Sequence, residues 1–498
     1  MSVCYKIPEG VFEIETKHHP VLSTKQGGGV ALDRHMLTLW RSAGGKELND
    51  LIKDFGKQGI SEVEIRGDLL CLAQAGLLTR KDEKEHDIKC KRVEGELVSI
   101  IIVSYNSRKW LQACLSSILS QTYSPVEVIV VDNTSTDGSP DWIIARYPDV
   151  KIVRLESEIS LAGAINRGVA NAAGKYFLLL NPDVELEPNV ITLMVNAVQD
   201  DPACAGVTGK LKFLWAPAFL NGLGNFVGGF SWGTDIALGH LDLGQFDDVR
   251  QVPSACFAGA LISASAWETI GALDEGFFLY YEDSEWCYRA RLFGYWVALE
   301  PKAVVYHAFG GRMPTSDYEM GASKYRRVVY GRLRFITKLL GWEYWLRFIA
   351  AYLFEDCLGF IFALIRGRFN VSKAYLKGWR DFVRGFSEIK RNRMLIQQKR
   401  VINDRDLFRT QRWVPSPLIW HGLPLLTRDI VRNRYLPRIL SGKTIFFPEF
   451  IDMDMVSFSD ATKKESYLRR GIKILKGEGL SRFLHRIWRY TQWRLMRP

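Results

Sequence analysis

The sequence lacks the glycine-rich phosphate loops of the commonest nucleotide-binding folds. Neither a GxGxxG pattern nor a GK[ST] loop follows any strand-like run in the 498 residues, so dinucleotide-dependent enzymes and P-loop NTPases fit poorly. Cysteine is also sparse, with eight scattered residues and no CxxC pair. This pattern predicts free thiols in a reducing compartment rather than a disulfide framework or a zinc site.

Targeting and membrane-spanning segments are likewise not apparent. Residues 1–10 lack a basic start followed by an apolar run, so no secretory signal is expected. The apolar run at 348–365 is interrupted by Glu355 and Asp356, so no charge-free segment approaches the length of a bilayer span. These observations predict a cytoplasmic protein.

The charge is distributed unevenly along the chain. Residues 321–498 carry 37 Lys and Arg against 14 Asp and Glu, whereas residues 1–320 carry 29 against 41. An acidic globular part is thus followed by a strongly basic one that is rich in Trp, Phe and Leu. Such a segment favours an anionic membrane surface, with nucleic acid as the alternative.

The first 92 residues are predicted to form a small separate α+β domain. Weak alternation over 11–21 and the break at Gly27-Gly28-Gly29 indicate a short strand pair, and helical patterns follow within 32–77. This order resembles a winged helix, and more closely the small PqqD-like domains that bind peptide leaders. A plain docking or packing module is the alternative. DNA binding is not expected, because the domain has no basic recognition helix.

A different pattern begins after the charged segment 81–96. Strand-like runs alternate with amphipathic helical patterns, which predicts a mostly parallel α/β sheet with helices on both faces. The predicted strands cover 98–103, 127–131, 150–155 and 176–180.

The last of these strands, Tyr176–Leu180, is followed at once by Asn181-Pro182-Asp183. Five apolar or aromatic residues in a row suit a strand buried on both faces, and Pro182 ends it. Asp183 therefore follows the carboxyl end of a strand, where open α/β sheets bind ligands. A carboxylate there can hold a cation, although Asp is also a common turn residue.

An ordered set of motifs gives the chain a family resemblance. Residues 98–189 resemble the first half of the family 2 glycosyltransferases, which have the GT-A fold, and the following residues are most similar to the rhamnosyltransferase-like branch. The motifs are Ser104-Tyr105-Asn106, Val131-Asp132-Asn133-Thr134-Ser135, Asn166-Arg167-Gly168, Leu180-Asn181-Pro182-Asp183, Phe257-Ala258-Gly259-Ala260, Leu273-Asp274-Glu275-Gly276-Phe277-Phe278, Tyr281-Glu282-Asp283 and His307.

The resemblance implies a nucleotide-diphospho-sugar donor bound at the carboxyl edge of the sheet. Asp132 is placed to accept hydrogen bonds from a base or ribose, or else caps a turn, and Asn166 is expected to support a helix start. Glu158 and Ser160 stand where the family often has Asn and Gly, so the sugar itself is left open. The implied donor-binding residues are Ser104, Tyr105, Asn106, Asp132, Asn166 and Asn181.

The resemblance also implies a divalent metal, Mg²⁺ or Mn²⁺. Asp183 would supply the carboxylate and His307 a second ligand, with Asn181 in place of a first aspartate. A histidine at a strand end is otherwise an ordinary polar residue. An imidazole ligand would make Mn²⁺ acceptable beside Mg²⁺.

The adjacent carboxylates Glu282 and Asp283 are the candidate catalytic residues. The pattern after them places both at a helix N-terminus, where capping, with Glu285 pairing Arg289, is the structural alternative. By resemblance Asp283 is the general base and Glu282 supports acceptor binding. A single base favours direct displacement with inversion.

Three further regions have less specific predictions. Residues 214–248 are predicted to be a long loop on the acceptor side, whose aromatic residues stack on sugars or form a local core. Residues 321–400 are predicted to be an amphipathic helical region at the membrane interface, or a helical subdomain packed on the catalytic one. Residues 401–498 are basic and have no assigned role.

Together these features predict a metal-dependent, inverting glycosyltransferase with a catalytic domain at 96–320. We expect it to act at the inner face of the cell membrane on a lipid-linked or cell-surface polysaccharide acceptor, with rhamnose as the sugar suggested by the resemblance. One alternative is a peptide or natural-product glycosyltransferase that captures its acceptor with residues 1–92. A non-catalytic nucleotide-sugar-binding scaffold is the other, and nucleic acid is not an expected partner.

Overall fold

The computed structural model describes residues 3–409, apart from 9–10, 15–20, 25–28, 32–33, 61, 75–76, 83–92, 215, 229–232, 241, 243–245 and 310–316. The N-terminal domain consists of β1 (Val3–Lys6), β2 (Val11–Ile14), β3 (Val21–Thr24), β4 (Gly29–Ala31), α1 (Arg34–Ala43), α2 (Leu48–Gly56), α3 (Glu62–Gln74) and β5 (Thr79–Asp82). Strand β1 pairs with β5, and β2, β3 and β4 form a separate antiparallel sheet. The predicted strand pair is therefore part of a three-stranded sheet, and the three predicted helices are present.

The predicted catalytic domain begins at β6 and ends at β17. Its elements are β6 (Val93–Ser104), α4 (Arg108–Leu119), β7 (Tyr123–Asp132), α5 (Ser139–Arg146), β8 (Lys151–Arg154), α6 (Leu161–Val169), β9 (Tyr176–Leu180), β10 (Val184–Leu186), α7 (Val190–Val198), β11 (Cys204–Phe213), β12 (Ala216–Gly222), β13 (Asn225–Phe226), β14 (Thr234–Asp235), β15 (Gln251–Val252), β16 (Gly259–Ser263), α8 (Ala264–Ile270), α9 (Glu282–Leu292) and β17 (Trp296–His307).

The central sheet joins a parallel half to a mixed half. Its main path runs β10-β17-β11-β16-β9-β6-β7-β8, with β12 beside β11 and β15 beside β17. Strands β9, β6, β7 and β8 are parallel, as predicted, whereas β16 pairs antiparallel with both β9 and β11. This mixed α/β sheet has the GT-A architecture expected from the motifs.

Strand β9 lies inside the sheet, and all five of its residues are buried. Its neighbours are β6 on one side and β16 on the other. The side chains of Leu178 and Leu180 belong to one core cluster and those of Phe177 and Leu179 to another. Both faces of β9 are therefore packed, which explains its uninterrupted apolar run.

The N-terminal domain packs directly on the catalytic domain. Phe213 at the end of β11 and Phe219 in β12 are buried within the same hydrophobic cluster as Leu69 and Leu72 of α3. Phe309, just after β17, also packs against this cluster. The N-terminal core is thus completed by residues of the catalytic domain.

The helical region follows the catalytic domain. Its helices are α10 (Asp317–Leu339), α11 (Trp342–Ile365), α12 (Phe369–Lys399) and α13 (Asp404–Arg409). Helix α10 packs on α12 and α9, and the predicted apolar face of α10 is buried together with Phe277 and Tyr288 of the catalytic domain. Of the region predicted to begin at residue 401, the structure describes only 401–409.

Helix α11 alone among the described helices is long and apolar enough to cross a bilayer, and 28% of its most apolar stretch is buried. Its two central carboxylates nevertheless face the protein. Arg332 of α10, whose side chain is fully buried, pairs with Glu355 at 2.7 Å and with Asp356. Trp379 of α12 donates a further hydrogen bond to Asp356 at 2.8 Å. These contacts fix α11 to the rest of the helical region.

Candidate active site

Strand pairing brings Asp183 and His307 together. Val184, the first residue of β10, pairs with His307, the last residue of β17, and Ala308 donates its N–H to the Asp183 carbonyl oxygen at 2.9 Å. The Asp183 Oδ1 atom lies 3.4 Å from His307 Nε2, and both side chains are at most about one-tenth exposed. Two residues predicted as metal ligands therefore meet beyond the carboxyl end of β9.

Two asparagines surround the His307 imidazole. Asn181 Nδ2 lies 3.3 Å from His307 Nε2, and Asn221 Oδ1 lies 2.8 Å from His307 Nδ1. Because an amide oxygen only accepts, this arrangement puts a proton on Nδ1, so Nε2 is the nitrogen that can serve as a metal ligand. Nε2 lies 3.3 Å from Asn181 Nδ2 and 3.4 Å from Asp183 Oδ1.

This donor set fits a divalent cation that completes its coordination with other oxygens. The described residues contain no group of three or more His, Cys, Asp or Glu side chains arranged to hold a metal. Asp183 can contribute one carboxylate to such a site and His307 one imidazole nitrogen. A hard cation that keeps water and phosphate oxygens needs few protein ligands.

The predicted donor edge is formed by the ends of β6 and β7. Ser104 and Asp132 are paired neighbours in the ladder between these strands. Asp132 Oδ1 accepts from Ser135 N at 3.3 Å, so it does cap the following turn. Ser104 Oγ is buried and has no hydrogen-bond partner among the described residues. The hydroxyl at this edge is therefore left for a ligand or a water molecule.

Asn106 joins the two loops of this edge. It has a left-handed backbone (φ 48°), its N–H donates to Ser135 Oγ at 3.0 Å, and its Oδ1 accepts from Thr136 N at 2.7 Å. Tyr105 is half-buried beside it. The Ser104-Tyr105-Asn106 motif thus shapes the loop, while donor contact by these residues stays a prediction.

Asn166 uses its amide within the protein. Its Nδ2 donates to the Leu273 carbonyl oxygen and to Glu275 Oε1, both at 3.0 Å, and its Oδ1 accepts from Leu273 N at 3.0 Å. Asn166 on α6 therefore holds the segment that leads to α9. The expected support of a helix start stays a prediction, as does direct donor binding by Asn166.

The candidate base lies at the start of α9, as predicted. Helix α9 begins at Glu282, after Tyr281 in a left-handed conformation (φ 73°). Asp283 Oδ1 accepts from Ser284 N, and its Oδ2 accepts from Asn225 Nδ2, both at 2.6 Å. Glu282 Oε2 is buried without a hydrogen-bond partner among the described residues. The two carboxylates thus differ sharply in their surroundings.

Burial raises the pKa of both carboxyl groups. For Glu282 the nearby charge of Asp283 raises the pKa further, while hydrogen bonds from Ser284 partly offset the rise for Asp283. A base with a raised pKa accepts a proton more readily near neutral pH. The structural alternative also holds in part, since Arg289 donates to Glu285 at 3.0 Å.

Residues 99–214, which contain Asp132, Asn181 and Asp183, match the family model described as Glycosyl transferase family 2. This part of the chain is a family 2 glycosyltransferase domain. The protein is accordingly a glycosyltransferase, as the motifs implied.

Curated relatives support the same assignment. The chain is 27% identical over 238 residues to the N-acetylglucosaminyl-diphospho-decaprenol L-rhamnosyltransferase of Mycobacterium tuberculosis, covering 43% of this chain and 76% of that protein. It is 33% identical over 112 residues to Glycosyltransferase GlyG of Streptococcus pneumoniae, covering 22% of this chain and 37% of that protein. The rhamnosyltransferase-like branch is the one that the motifs indicated.

Among solved structures, the chain is similar to a mannosyltransferase from Pyrobaculum calidifontis in complex with GDP-Man and Mn²⁺. The match covers 66% of this chain and 99% of the mannosyltransferase chain. Its TM-score is 0.36 and its sequence identity 16%. The sheet order and the family match support the GT-A fold of this glycosyltransferase.

Asp235 was missed by the sequence analysis. It lies on β14, opposite Asn225 of β13, and burial followed by repulsion from Asp283 raises its pKa to about 6. The region predicted as a loop over 214–248 thus contains short strands that deliver polar groups to the site. Asn221, Asn225 and Asp235 follow no motif, and only the glycines at 222 and 224 marked an unusual backbone there.

Of the aromatic residues predicted to stack on sugars, Phe226 belongs to the local core, being 1% exposed. Trp215, Phe230 and Trp232 lie outside the described residues. Among the described cysteines, those found free, as expected, are Cys4, Cys114, Cys204, Cys256, Cys287 and Cys357.

Three tyrosines anchor the acceptor-side segment to the helices of the glycosyltransferase. The hydroxyl of Tyr281 accepts from Gly233 N at 2.8 Å, and that of Tyr288 accepts from Val227 N at 3.0 Å. Tyr352 of α11 donates to the Gly228 carbonyl oxygen at 2.9 Å. The helical region therefore helps to hold the segment that carries Asn225.

Proposed function

We propose that this glycosyltransferase is metal-dependent and inverting, and transfers a sugar from a nucleotide-diphospho-sugar to a lipid-linked or cell-surface polysaccharide acceptor. The observation that carries the proposal is the 3.4 Å approach of Asp183 Oδ1 to His307 Nε2 at the carboxyl edge of β9. Rhamnose is the proposed sugar, because a relative with 76% of its length covered is named a rhamnosyltransferase.

Asp183 and His307 would hold Mg²⁺ or Mn²⁺ through Oδ1 and Nε2. When bound, such a cation neutralises the charge that grows on the departing diphosphate. The donor lies along the edge formed by β6, β7 and β9, where Ser104 Oγ is buried without a partner among the described residues. Proposed donor contacts come from Ser104, Tyr105, Asn106, Asp132, Asn166 and Asn181.

Asp283 acts as the general base in this proposal. The acceptor oxygen forms its bond to the anomeric carbon while the bond from that carbon to the diphosphate oxygen breaks. The acceptor hydroxyl proton passes to Asp283, and the electron pair leaves with the diphosphate. A single displacement inverts the anomeric configuration. Glu282, buried beside Asp283, supports the acceptor.

The test is a donor screen read by release of nucleoside diphosphate, with Mg²⁺, Mn²⁺ or a chelator present. Asp283→Asn should lower kcat by roughly 10²–10⁴-fold, the usual contribution of a positioned base, and Asp183→Ala should remove the metal-dependent turnover. Asp141→Asn, at a side chain 80% exposed, is the matched control. Full turnover in Asp283→Asn and Asp183→Ala would refute the catalytic assignment.

A membrane-bound acceptor is supported by the surface of α11. Phe354, Ile361 and Ile365 form one stripe of this helix and are 55%, 49% and 76% exposed. Exposed basic residues follow in sequence, after the end of α11 and along α12, namely Arg366, Arg368, Lys373, Lys377, Arg380 and Arg384. Exposed apolar and basic groups in one helical region favour peripheral binding to an anionic membrane. We accordingly place the enzyme at the cytoplasmic face of the cell membrane.

A peptide or natural-product acceptor is the second candidate. The observation that favours it is the packing of the N-terminal domain against Phe213 and Phe219, next to the acceptor side. Comparing transfer to peptide and to glycan acceptors by the full-length protein separates the two candidates. Transfer to peptides but not to glycans would support the peptide acceptor, and transfer to glycans alone would exclude it.

A further inference from the structure

The segment from Asn221 to Asn225 reaches both halves of the active site. It joins the end of β12 to the start of β13. One of its amides contacts the candidate metal ligand His307, and the other contacts the candidate base Asp283. No motif singled out either asparagine, and both contacts come from a single short turn.

Asn221 fixes the role of the His307 Nδ1 atom. It is 3% exposed, and its Oδ1 lies 2.8 Å from His307 Nδ1. An amide oxygen there keeps a proton on Nδ1, so Nε2, next to Asp183, is the nitrogen that can bind a metal. The Asn221 Nδ2 atom is buried and has no hydrogen-bond partner among the described residues. Its contact with His307 is thus the side-chain hydrogen bond that the structure shows for this residue.

Asn225 acts on Asp283 with the opposite polarity. Its Nδ2 donates to Asp283 Oδ2 at 2.6 Å, whereas its Oδ1 is buried without a hydrogen-bond partner among the described residues. The donor stabilises the ionised carboxylate and fixes its orientation. Asn221 thus acts through its amide oxygen, and Asn225 acts through its amide nitrogen.

The turn between them is held rigidly. Leu223 N donates to the Ile236 carbonyl oxygen at 3.0 Å, and Ile236 N returns a bond to the Gly224 carbonyl oxygen at 2.8 Å. Gly224 has φ +109°, and a Cβ there would lie 2.3 Å from the Ser254 carbonyl oxygen. Only glycine fits this backbone position. Both amides are therefore placed by one fixed piece of backbone.

We propose that Asn221 and Asn225 are paired positioning residues: Asn221 orients His307 for the metal, and Asn225 orients Asp283 for the acceptor. This inference rests on the proposed function. Neither residue reacts, since each acts through the side chain that it holds. The turn that joins them fixes the position of His307 relative to Asp283.

The opposite polarities allow a crossed experiment on the full-length protein. Asn221→Asp keeps an acceptor for Nδ1, so the affinity for Mn²⁺ alone, measured by electron paramagnetic resonance, should stay within about threefold of the wild type. Asn221→Ala should weaken it by roughly 10–100-fold, as loss of an outer partner of a ligand usually does. Neither variant should move the acidic limb of the pH dependence of kcat/KM.

At position 225 the same substitution should have the opposite result. Asn225→Ala removes the donor, which raises the pKa of Asp283, and Asn225→Asp removes it and adds a neighbouring carboxylate, which raises that pKa further. The base must be unprotonated, so the acidic limb should move to higher pH by about one unit in Asn225→Ala and by more in Asn225→Asp, with Mn²⁺ affinity unchanged. Other titratable groups that act on Asp283 are Glu282, Asp235, Cys256 and Cys287, and these variants leave all four in place.

Asn196→Asp, at an exposed site on α7, controls for the substitution itself and should change neither measurement. The inference is overturned if Asn221→Ala binds Mn²⁺ like the wild type, or if Asn225→Ala and Asn225→Asp leave the limb in place while Asp283→Asn is inactive. Turnover that survives Asp283→Asn refutes the base assignment and the role of Asn225 with it. The Mn²⁺ measurement then still decides the role of Asn221.

Discussion

His307 meets Asp183 because β10 and β17 are paired with Val184 opposite His307. The contact therefore depends on backbone register rather than on a flexible side chain reaching across the site. A slip of one residue would turn His307 to the other face of the sheet. The 3.4 Å separation of Asp183 Oδ1 and His307 Nε2 is thus set by the pairing of β10 with β17.

Replacing His307 by a harder ligand should change the metal preference. Imidazole nitrogen tolerates Mn²⁺ well, whereas an all-oxygen set favours Mg²⁺. In His307→Asp we expect the ratio of Mn²⁺-supported to Mg²⁺-supported turnover to fall by about tenfold, measured by diphosphate release. His35→Asp in the N-terminal domain is the control, and an unchanged ratio in His307→Asp would argue against ligation by the imidazole.

Glu282 should lower the stability of the folded protein as the pH rises. Its folded pKa is raised, so between the unfolded and folded values the folded state binds more protons, and stability falls with increasing pH. Glu282→Gln removes this loss, and its Tm should exceed that of the wild type at pH 8 by about 1–3 °C but not at pH 4. Thermal scans across this range should show no such change for Glu268→Gln, an exposed glutamate.

Asp274 should be essential for holding the helical region. It accepts from Arg334 at 2.6 Å and pairs with Lys338, and the Arg334 side chain is 1% exposed. Asp274→Ala leaves two buried cations with less compensation and should cost about 3–5 kcal/mol in the free energy of unfolding. Denaturant titration should give only about 0–1 kcal/mol for Asp381→Asn, which breaks a more exposed pair with Arg326.

Two glycine substitutions separate backbone conformation from steric conflict. Gly224 and Gly138 both have positive φ, but a Cβ at Gly138 would meet nothing within 4 Å. We expect Gly138→Ala to cost about 1 kcal/mol with little effect on turnover. Gly224→Ala should displace Asn225 and lower kcat by at least about tenfold, since small misplacements at a site are costly. Equal kcat values for the two variants would contradict this expectation.

The apolar stripe on α11 should control membrane binding. The triple variant Phe354→Ser, Ile361→Ser and Ile365→Ser should bind anionic vesicles at least about tenfold more weakly, because each exposed apolar side chain gains on the order of 1 kcal/mol or more when buried. Sedimentation with vesicles, at low and high salt, measures this. Leu119→Ser, at a residue 59% exposed on α4, should bind like the wild type.

Local sequence patterns were sufficient for the parallel half of the fold and for the start of α9. The run Tyr176–Leu180 is a fully buried strand with the bounds expected from its apolar residues, and α9 begins at Glu282 as the motif indicated. Both predictions succeed because the signal is contiguous in sequence. The pairing of Asp183 with His307 was reached by family resemblance, since residues far apart in sequence leave no local signal.

The contributions of Asn221, Asn225 and Asp235 could not be predicted, because they arise from pairing between short irregular strands. The charge count likewise overestimated the exposed basic surface. Arg332, Arg334 and Lys338 are buried and paired with carboxylates. A list of charges cannot distinguish a solvated cation from one that is neutralised inside the protein.

Phe309 connects the N-terminal core to His307. Its ring lies 5.8 Å from the His307 imidazole and 5.6 Å from Phe213, which belongs to the N-terminal core. The candidate metal ligand His307 is therefore supported on one side by a core that two domains share. Unfolding of the N-terminal domain and loss of metal binding should consequently be one cooperative event, so a fragment starting at β6 would not be an independent catalytic unit.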